Sequence, residues 1–269
     1  MASTVTDNLN SSPKVILWIH ARTRSTVFEM SVASVPTIKV FHEPFIGGHW
    51  FGEDRNYDFP VPPVPGYTRA EIRSMLEAEY PGYEAVFVKD CPASITSKSD
   101  YDKYLPRGYI HTFMIRDPMQ SIPSYYKLLK ADQDAGRFPY DVIEATMTMG
   151  GDLKPVYDLF QHVKDDLGQP PILIESNDLI DSPKEVMQKY CKLTGLPFRD
   201  SMLKWEPENI SSWPEYLKPP AVMRYYQSAV NSSSFEKRKP PTTDDIPDEL
   251  LKYIEQLRVY YYEMTKYKI

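Results

Sequence analysis

Lys14-Val-Ile-Leu-Trp-Ile-His-Ala-Arg-Thr-Arg-Ser-Thr26 (KVILWIHARTRST) opens on an unbroken apolar run and breaks abruptly into cations and hydroxyls. A run that is apolar at every position, not at alternate ones, is buried on both faces, the condition of a strand inside a parallel sheet. Ala21 to Arg24 then reads as a short loop, and Ser25 to Ser34 as a helix. Strand, tight polar loop and helix form the opening of a phosphate-binding βα unit. Backbone N–H groups at a helix start attract anions; Arg22 and Arg24 add guanidinium groups, and Thr23, Ser25 and Thr26 add hydroxyls. The loop is not a Walker A sequence, because the glycines and the closing Gly-Lys-Ser/Thr are missing. A helix cap beside two surface arginines is the competing reading.

The same alternation continues outward. Ile38–Phe41, Ala85–Lys89, Tyr109–Ile115 and Pro171–Glu175 read as further strands. Helices are expected over 68–80, 118–130, 139–150, 153–167, 182–195, 214–230 and 247–267. Pro60, Pro62, Pro63 and Pro65 argue for irregular chain over 47–66, and Trp50, Phe51, Tyr57 and Phe59 suggest that this loop roofs something. The pattern predicts a three-layer α/β/α fold around a central, mainly parallel five-stranded sheet, like that of P-loop nucleotide hydrolases. Residues 14–269 read as a single domain behind a flexible segment 1–13. In such sheets ligands sit beyond the carboxyl ends of the strands, where every polar cluster noted here falls.

Composition narrows the classes. The 269 residues include 42% hydrophobic and 25% charged residues, as in a globular protein with a full core. A net charge of −6 argues against a protein that coats nucleic acid. Met1–Pro13 is Ser/Thr/Asn-rich without an apolar core, so neither a signal peptide nor membrane attachment is expected, and the location predicted is cytoplasmic. Cys91 and Cys191 form no disulfide framework and read as core thiols. His20, His49, His111 and His162 lack ligand spacing, so no metal is expected.

A second cluster, Ile115-Arg116-Asp117-Pro118, ends the fourth strand, and Ser124-Tyr125-Tyr126 lies two turns into the helix that follows. Together the two clusters resemble the PAPS-dependent sulfotransferase superfamily, whose donor is 3′-phosphoadenosine-5′-phosphosulfate. Arg22, Thr23, Ser25 and Thr26 fit that family's loop for the 5′-phosphosulfate; Arg24 stands where glycine is usual and Ala21 where proline is. Arg116 and Ser124, eight positions apart, match its pair for the 3′-phosphate. Glu175–Pro183 (ESNDLIDSP) and Tyr190–Phe198 (YCKLTGLPF) extend the resemblance.

The resemblance implies transfer of a sulfuryl group from PAPS to a hydroxyl or amine, with PAP as the product and no metal. Some branches of the family place a glutamate base after the second strand, which here is Glu43 with His42 beside it; the alternative Lys-x-His base is absent from Lys89-Asp90-Cys91. Lys89 matches the family lysine that neutralises the leaving oxygen, and a lysine at a buried strand end needs an anion in any case. Arg22 would share the charge of the sulfonate and phosphate. Arg238, in Lys237-Arg238-Lys239, stands for the family's late basic loop, although a basic run is also an ordinary solvated face. Trp205, Trp213, Tyr225 and Tyr226 read as packing aromatics that could border the acceptor pocket. The partner expected is a small organic acceptor touching His49, Trp50 and Tyr57, with no nucleic acid or membrane and with a homodimer left open. The alternatives are a P-loop kinase-like phosphotransferase and a non-catalytic module that binds PAP or another nucleotide.

Overall fold

A computed structural model describes residues 12–55 and 62–269. The flexible segment expected over 1–13 falls almost wholly outside them, as does Tyr57. The chain runs β1 (Lys14–Ile19), α1 (Ser25–Ala33), β2 (Ile38–His42), α2 (Pro44–Phe51), α3 (Arg69–Glu77), β3 (Ala85–Asp90), α4 (Lys98–Tyr104) and β4 (Tyr109–Ile115). It continues through α5 (Pro118–Asp134), α6 (Val142–Thr148), α7 (Lys154–Gln161), β5 (Leu173–Glu175), α8 (Ser176–Asp181), α9 (Pro183–Thr194), α10 (Pro220–Met223), α11 (Gln227–Val230) and α12 (Asp248–Thr265). Among the described residues the strands form one five-stranded sheet in the order β2-β3-β1-β4-β5, parallel throughout. The five predicted strands are therefore the five observed.

The continuous apolar run of β1 makes it the central strand, since both faces can be covered. Val15, Leu17 and Ile19 pack on one face against Phe28 and Val32 of α1 and Met187 and Tyr190 of α9. Ile16 and Trp18 pack on the other against Leu76 of α3, Leu159 of α7 and Ile254 of α12. These are the outer layers of an α/β/α sandwich. Among the described residues no helix is long and apolar enough to cross a membrane, and both cysteines are free and buried.

Several stretches depart from the sequence reading, among them α4 (Lys98–Tyr104), which it did not predict. Residues 44–51 form α2 where the prediction had loop from 47, because the Asp90 carboxylate accepts the Phe45 and Ile46 N–H groups at the helix start (2.5 and 3.1 Å). The glycines of α2 serve packing: a Cβ on Gly47 would fall 2.1 Å from the Tyr216 hydroxyl oxygen. Residues 214–230 are not one helix, since Pro219-Pro220 divides them into a 3₁₀ turn (Glu215–Leu217), α10 and α11. The unpredicted α8 starts on Glu175, whose side chain accepts the Asn177 and Asp178 N–H groups (2.7 and 3.2 Å).

Candidate functional site

The strand register assembles the polar clusters. His42 pairs with Lys89 between β2 and β3, and Leu17 pairs with Lys89 between β1 and β3, so the segments after these strands share one rim. A cleft of about 1160 Å³ opens there. Arg22, Arg24, Ser25 and Thr26 line it from the β1 side, Glu43 from β2, Cys91 from β3 and Arg116 from β4, joined by Ser124, Tyr226 and Arg238.

One end of the cleft is cationic. Arg22 and Arg24 hold left-handed backbone (φ 67° and 66°), which costs a side-chain-bearing residue about 1–2 kcal/mol each. Arg116 steadies that turn by donating Nη1–H to the Arg22 carbonyl (3.0 Å) and Nε–H to Gln120 (3.2 Å). Arg22 donates to the Ser124 hydroxyl and the Tyr225 carbonyl (both 3.2 Å). Arg24 donates to the Ser176 carbonyl and the Asn177 amide oxygen (3.3 and 3.2 Å). All these partners are neutral; among the described residues none of the three guanidinium groups reaches a carboxylate at ion-pair distance. Burial lowers the pKa of all three, and Arg116, also repelled by Arg24 and Arg22, is held down at about 10. Behind them His20 is wholly buried, and burial with the Arg116 charge holds it neutral, its pKa at about 3. Such crowding, offset only by the carboxylates of Glu175, Asp181 and Asp117 beyond ion-pair distance, is electrostatically unfavourable and would be relieved by an added anion.

The other end is an acid–lysine network. Lys89 is fully buried, with Nζ 2.5 Å from Glu43 Oε1, 3.5 Å from Glu29 Oε2 and 3.4 Å from the Thr26 hydroxyl. Thr26 thus joins the arginine turn to this network. Glu43, also left-handed (φ 48°), accepts the Tyr226 hydroxyl on Oε2 (2.5 Å). Burial alone would raise the Glu43 carboxyl, but Lys89, His42 and the Lys89 and Tyr226 hydrogen bonds outweigh it and hold the group at about 2. Burial would strip the Lys89 ammonium, yet Glu43 and Glu29 raise its pKa on balance. Glu29 completes the network by accepting Trp213 Nε1–H (2.9 Å) and pairing with His42 Nδ1 (2.6 Å). Among the described residues no group of three His, Cys, Asp or Glu side chains is arranged to hold a metal ion.

No family model matches the chain. It is 26% identical over 210 residues to the branched-chain-amino-acid aminotransferase-like protein 1 of Arabidopsis thaliana, covering 73% of this chain and 33% of that protein. To the aminotransferase-like protein 2 of the same plant it is 31% identical over 97 residues, 36% of this chain and 14% of that protein. The chain spans a third or less of the length of these curated relatives. In structure it is similar to the sulfotransferase domain from the curacin biosynthetic pathway (TM-score 0.48, 12% identity, 91% of this chain and 98% of that one). It is also similar to the sulfotransferase domain from the Synechococcus PCC 7002 olefin synthase (0.46, 11%, 94% and 97%). A sulfotransferase from Alicyclobacillus acidocaldarius is similar as well (0.48, 18%, 82% and 98%).

The site residues named from sequence divide by placement. Arg22, Arg24, Ser25, Thr26, Glu43, Trp50, Arg116, Ser124 and Arg238 line the one cleft. Arg238 also pairs with Glu236 (3.7 Å) and bonds Ser228. Lys89 and His42 sit behind Glu43, in contact with it but not on the cleft wall. Thr23 points away: its buried hydroxyl donates to the His20 carbonyl (3.1 Å) and holds the turn. His49 lines a separate small cavity with Asp54, Arg69 and Asp100. Sequence reasoning missed Glu29, Asp90 and Gln120, and counted Tyr226 and Trp213 as packing aromatics when both bond the acid network. Glu29 carried a legible signal, a lone acid between Phe28 and Met30 in an apolar helix.

Proposed function

We propose that this chain is a sulfotransferase that moves a sulfuryl group from PAPS to a hydroxyl or amine of a small organic acceptor. The observation that carries the reading is the convergence of Arg22, Arg24 and Arg116, none paired with a carboxylate, on one cleft that Glu43, held against Lys89, also lines. A donor with phosphates on both the 3′ and the 5′ position of its ribose supplies the missing anions. The volume, about 1160 Å³, exceeds what one drug-sized ligand needs and leaves room for an acceptor beside a nucleotide. Apolar walls from Ile46, Phe51, Leu128, Phe138 and Val222 suit an organic acceptor.

The reaction is an in-line displacement in which positioning and charge stabilisation dominate, as in phosphoryl transfer. The acceptor oxygen or nitrogen bonds to sulfur, the bond from sulfur to the 5′-phosphate oxygen breaks, and PAP leaves with the electron pair. Arg22 and Lys89 offset the charge that grows on that oxygen. Glu43 takes the acceptor's proton, a step that in general adds about 10²–10⁴-fold. At rest Lys89 holds Glu43 as a weak base; a donor that draws the ammonium toward its bridging oxygen leaves burial as the dominant influence on Glu43 and makes it a stronger one. Base strength is thereby tied to donor binding.

The experiment is transfer of labelled sulfate from PAPS to a panel of alcohols, phenols and amines, with Glu43→Gln as control. Transfer by the wild type and none by the variant is expected. Binding of PAP without transfer to any acceptor would leave a nucleotide-binding module and refute the reading.

A further inference from the structure

We propose that Glu29 and His42 form a buried dyad behind Glu43 that receives the acceptor's proton: Glu29 holds the imidazole as its Nδ1–H tautomer, and the Nε2 lone pair takes the proton on from Glu43. The inference rests on the sulfuryl-transfer reading of the same cleft and adds a proton path to it.

Glu29 is wholly buried on α1, where an ionised carboxylate is tolerated only if hydrogen-bonded. A carboxylate can only accept, so its 2.6 Å contact with Nδ1 requires a proton on Nδ1; in the neutral ring this leaves a lone pair on Nε2, whereas an imidazolium would donate from both nitrogens. Nε2 is itself buried and has no hydrogen-bond partner. It stands 3.7 Å from Glu43 Oε2. Two facing acceptors cannot bond, which accounts for both the spacing and the orphaned nitrogen. A single proton on Glu43 Oε2 would convert that gap into a hydrogen bond. The ring is held for this by Trp213, stacked at 3.6 Å and 20°, and by Tyr226, edge-on at 5.0 Å.

The groups around the imidazole are Glu29 from α1, Glu43 at the end of β2, Lys89 from β3, the Tyr226 ring and the Trp213 ring. The step balances: the acceptor's O–H or N–H bond breaks as its bond to sulfur forms and the sulfur–phosphate oxygen bond breaks. The proton passes to Glu43 Oε2 and then to Nε2, and returns to solvent through Glu43 once products leave. Glu29 and His42 act through Glu43 and are positioning residues.

The test uses the full chain with ¹⁵N-labelled histidine. In the wild type, NMR is expected to find His42 Nδ1 protonated, with a far-downfield proton, and Nε2 bare. Glu29→Gln and His42→Gln are each expected to lower kcat on the order of 10²-fold, with KM for PAPS and PAP affinity within about threefold. The double variant is expected to be no slower than the slower single, as for residues that act as a unit. An Nε2–H tautomer overturns the proposal, as does a Glu29→Gln enzyme within about twofold of wild-type kcat, or losses that multiply. If Glu29→Gln does not fold, the wild-type spectrum and His42→Gln still decide. Sulfate transfer with the wrong tautomer removes the relay alone; the right tautomer with no transfer by the wild type removes the sulfuryl-transfer reading and the relay with it.

Discussion

Replacing Arg116 with methionine separates what its guanidinium costs the free protein from what it contributes to binding. Burial, with repulsion from Arg24 and Arg22, holds this group at about 10 against an ordinary 12.5. At about 1.36 kcal/mol per pH unit that depression corresponds to roughly 3 kcal/mol of unfavourable electrostatics. On the other side stand the hydrogen bonds to the Arg22 carbonyl (3.0 Å) and Gln120 (3.2 Å). Each is worth about 1.5 kcal/mol at the low end for a charged donor, so the two sides nearly cancel. Methionine keeps the apolar stem, and Arg116→Met is expected to unfold in urea within about 1 kcal/mol of the wild type. With a phosphate in the cleft the balance changes, because a bidentate charge-assisted contact is lost outright. At about 1.5–3 kcal/mol per bond this amounts to about 3–6 kcal/mol, or 10²–10⁴-fold in the dissociation constant of PAP by calorimetry. A variant that binds PAP within about threefold of wild type, or that loses more than about 3 kcal/mol of ligand-free stability, would show Arg116 to be a structural residue and refute the reasoning.

Glu43→Gln is expected to lower kcat by about 10²–10⁴-fold while PAP binding, read by calorimetry, stays within about threefold. Lys89→Met removes the ammonium between Glu43 and Glu29 and should cost about 3–5 kcal/mol at neutral pH in chemical denaturation. Its pH dependence has a definite sign. In the wild type the Glu43 pKa is about 2, below its ordinary 4.5, so its share of stability is present above 4.5 and is lost as pH falls toward 2. Without Lys89 burial raises that pKa and acid instead relieves the variant, so the stability gap between the two proteins should narrow as pH drops from 7 to 4. Arg24→Gly relaxes a left-handed backbone and thins the cation cluster; it should raise ligand-free stability by about 1 kcal/mol while weakening PAP about tenfold, measured by urea unfolding and calorimetry on one preparation.

The fold was legible because β1 and β3 carry uninterrupted apolar runs (Val15–Ile19 and Ala85–Val88) that fit a sheet covered on both faces, and because each run ends sharply in polar residues. The convergence of the cationic residues was legible for the same reason: Arg22, Arg24 and Arg116 sit shortly after strand ends, and the strand register brings those ends together. What sequence did not show depends on groups distant along the chain. Helix α2, with Gly47 and Gly48, is poor in intrinsic propensity and is capped by Asp90, more than forty residues later. The segment 214–230 has helical composition, yet Pro219-Pro220 outweighs it. His49 follows a strand end like the other site residues, but the α2 turn carries it to the far side, toward Asp54 and Arg69. Thr23, read as a phosphate contact, is consumed by the turn itself. Glu29 became a site residue only once β2 set His42 beside it.

The account depends on one cleft holding a nucleotide with phosphates on the 3′ and 5′ positions of its ribose, without help from a metal. Calorimetric titration of the full chain with PAP and, separately, with ATP and Mg²⁺ tests this directly. PAP is expected to bind without metal, at least tenfold more tightly than ATP with Mg²⁺. ATP with Mg²⁺ binding the more tightly, or PAP producing no heat of binding and no thermal shift, would contradict it.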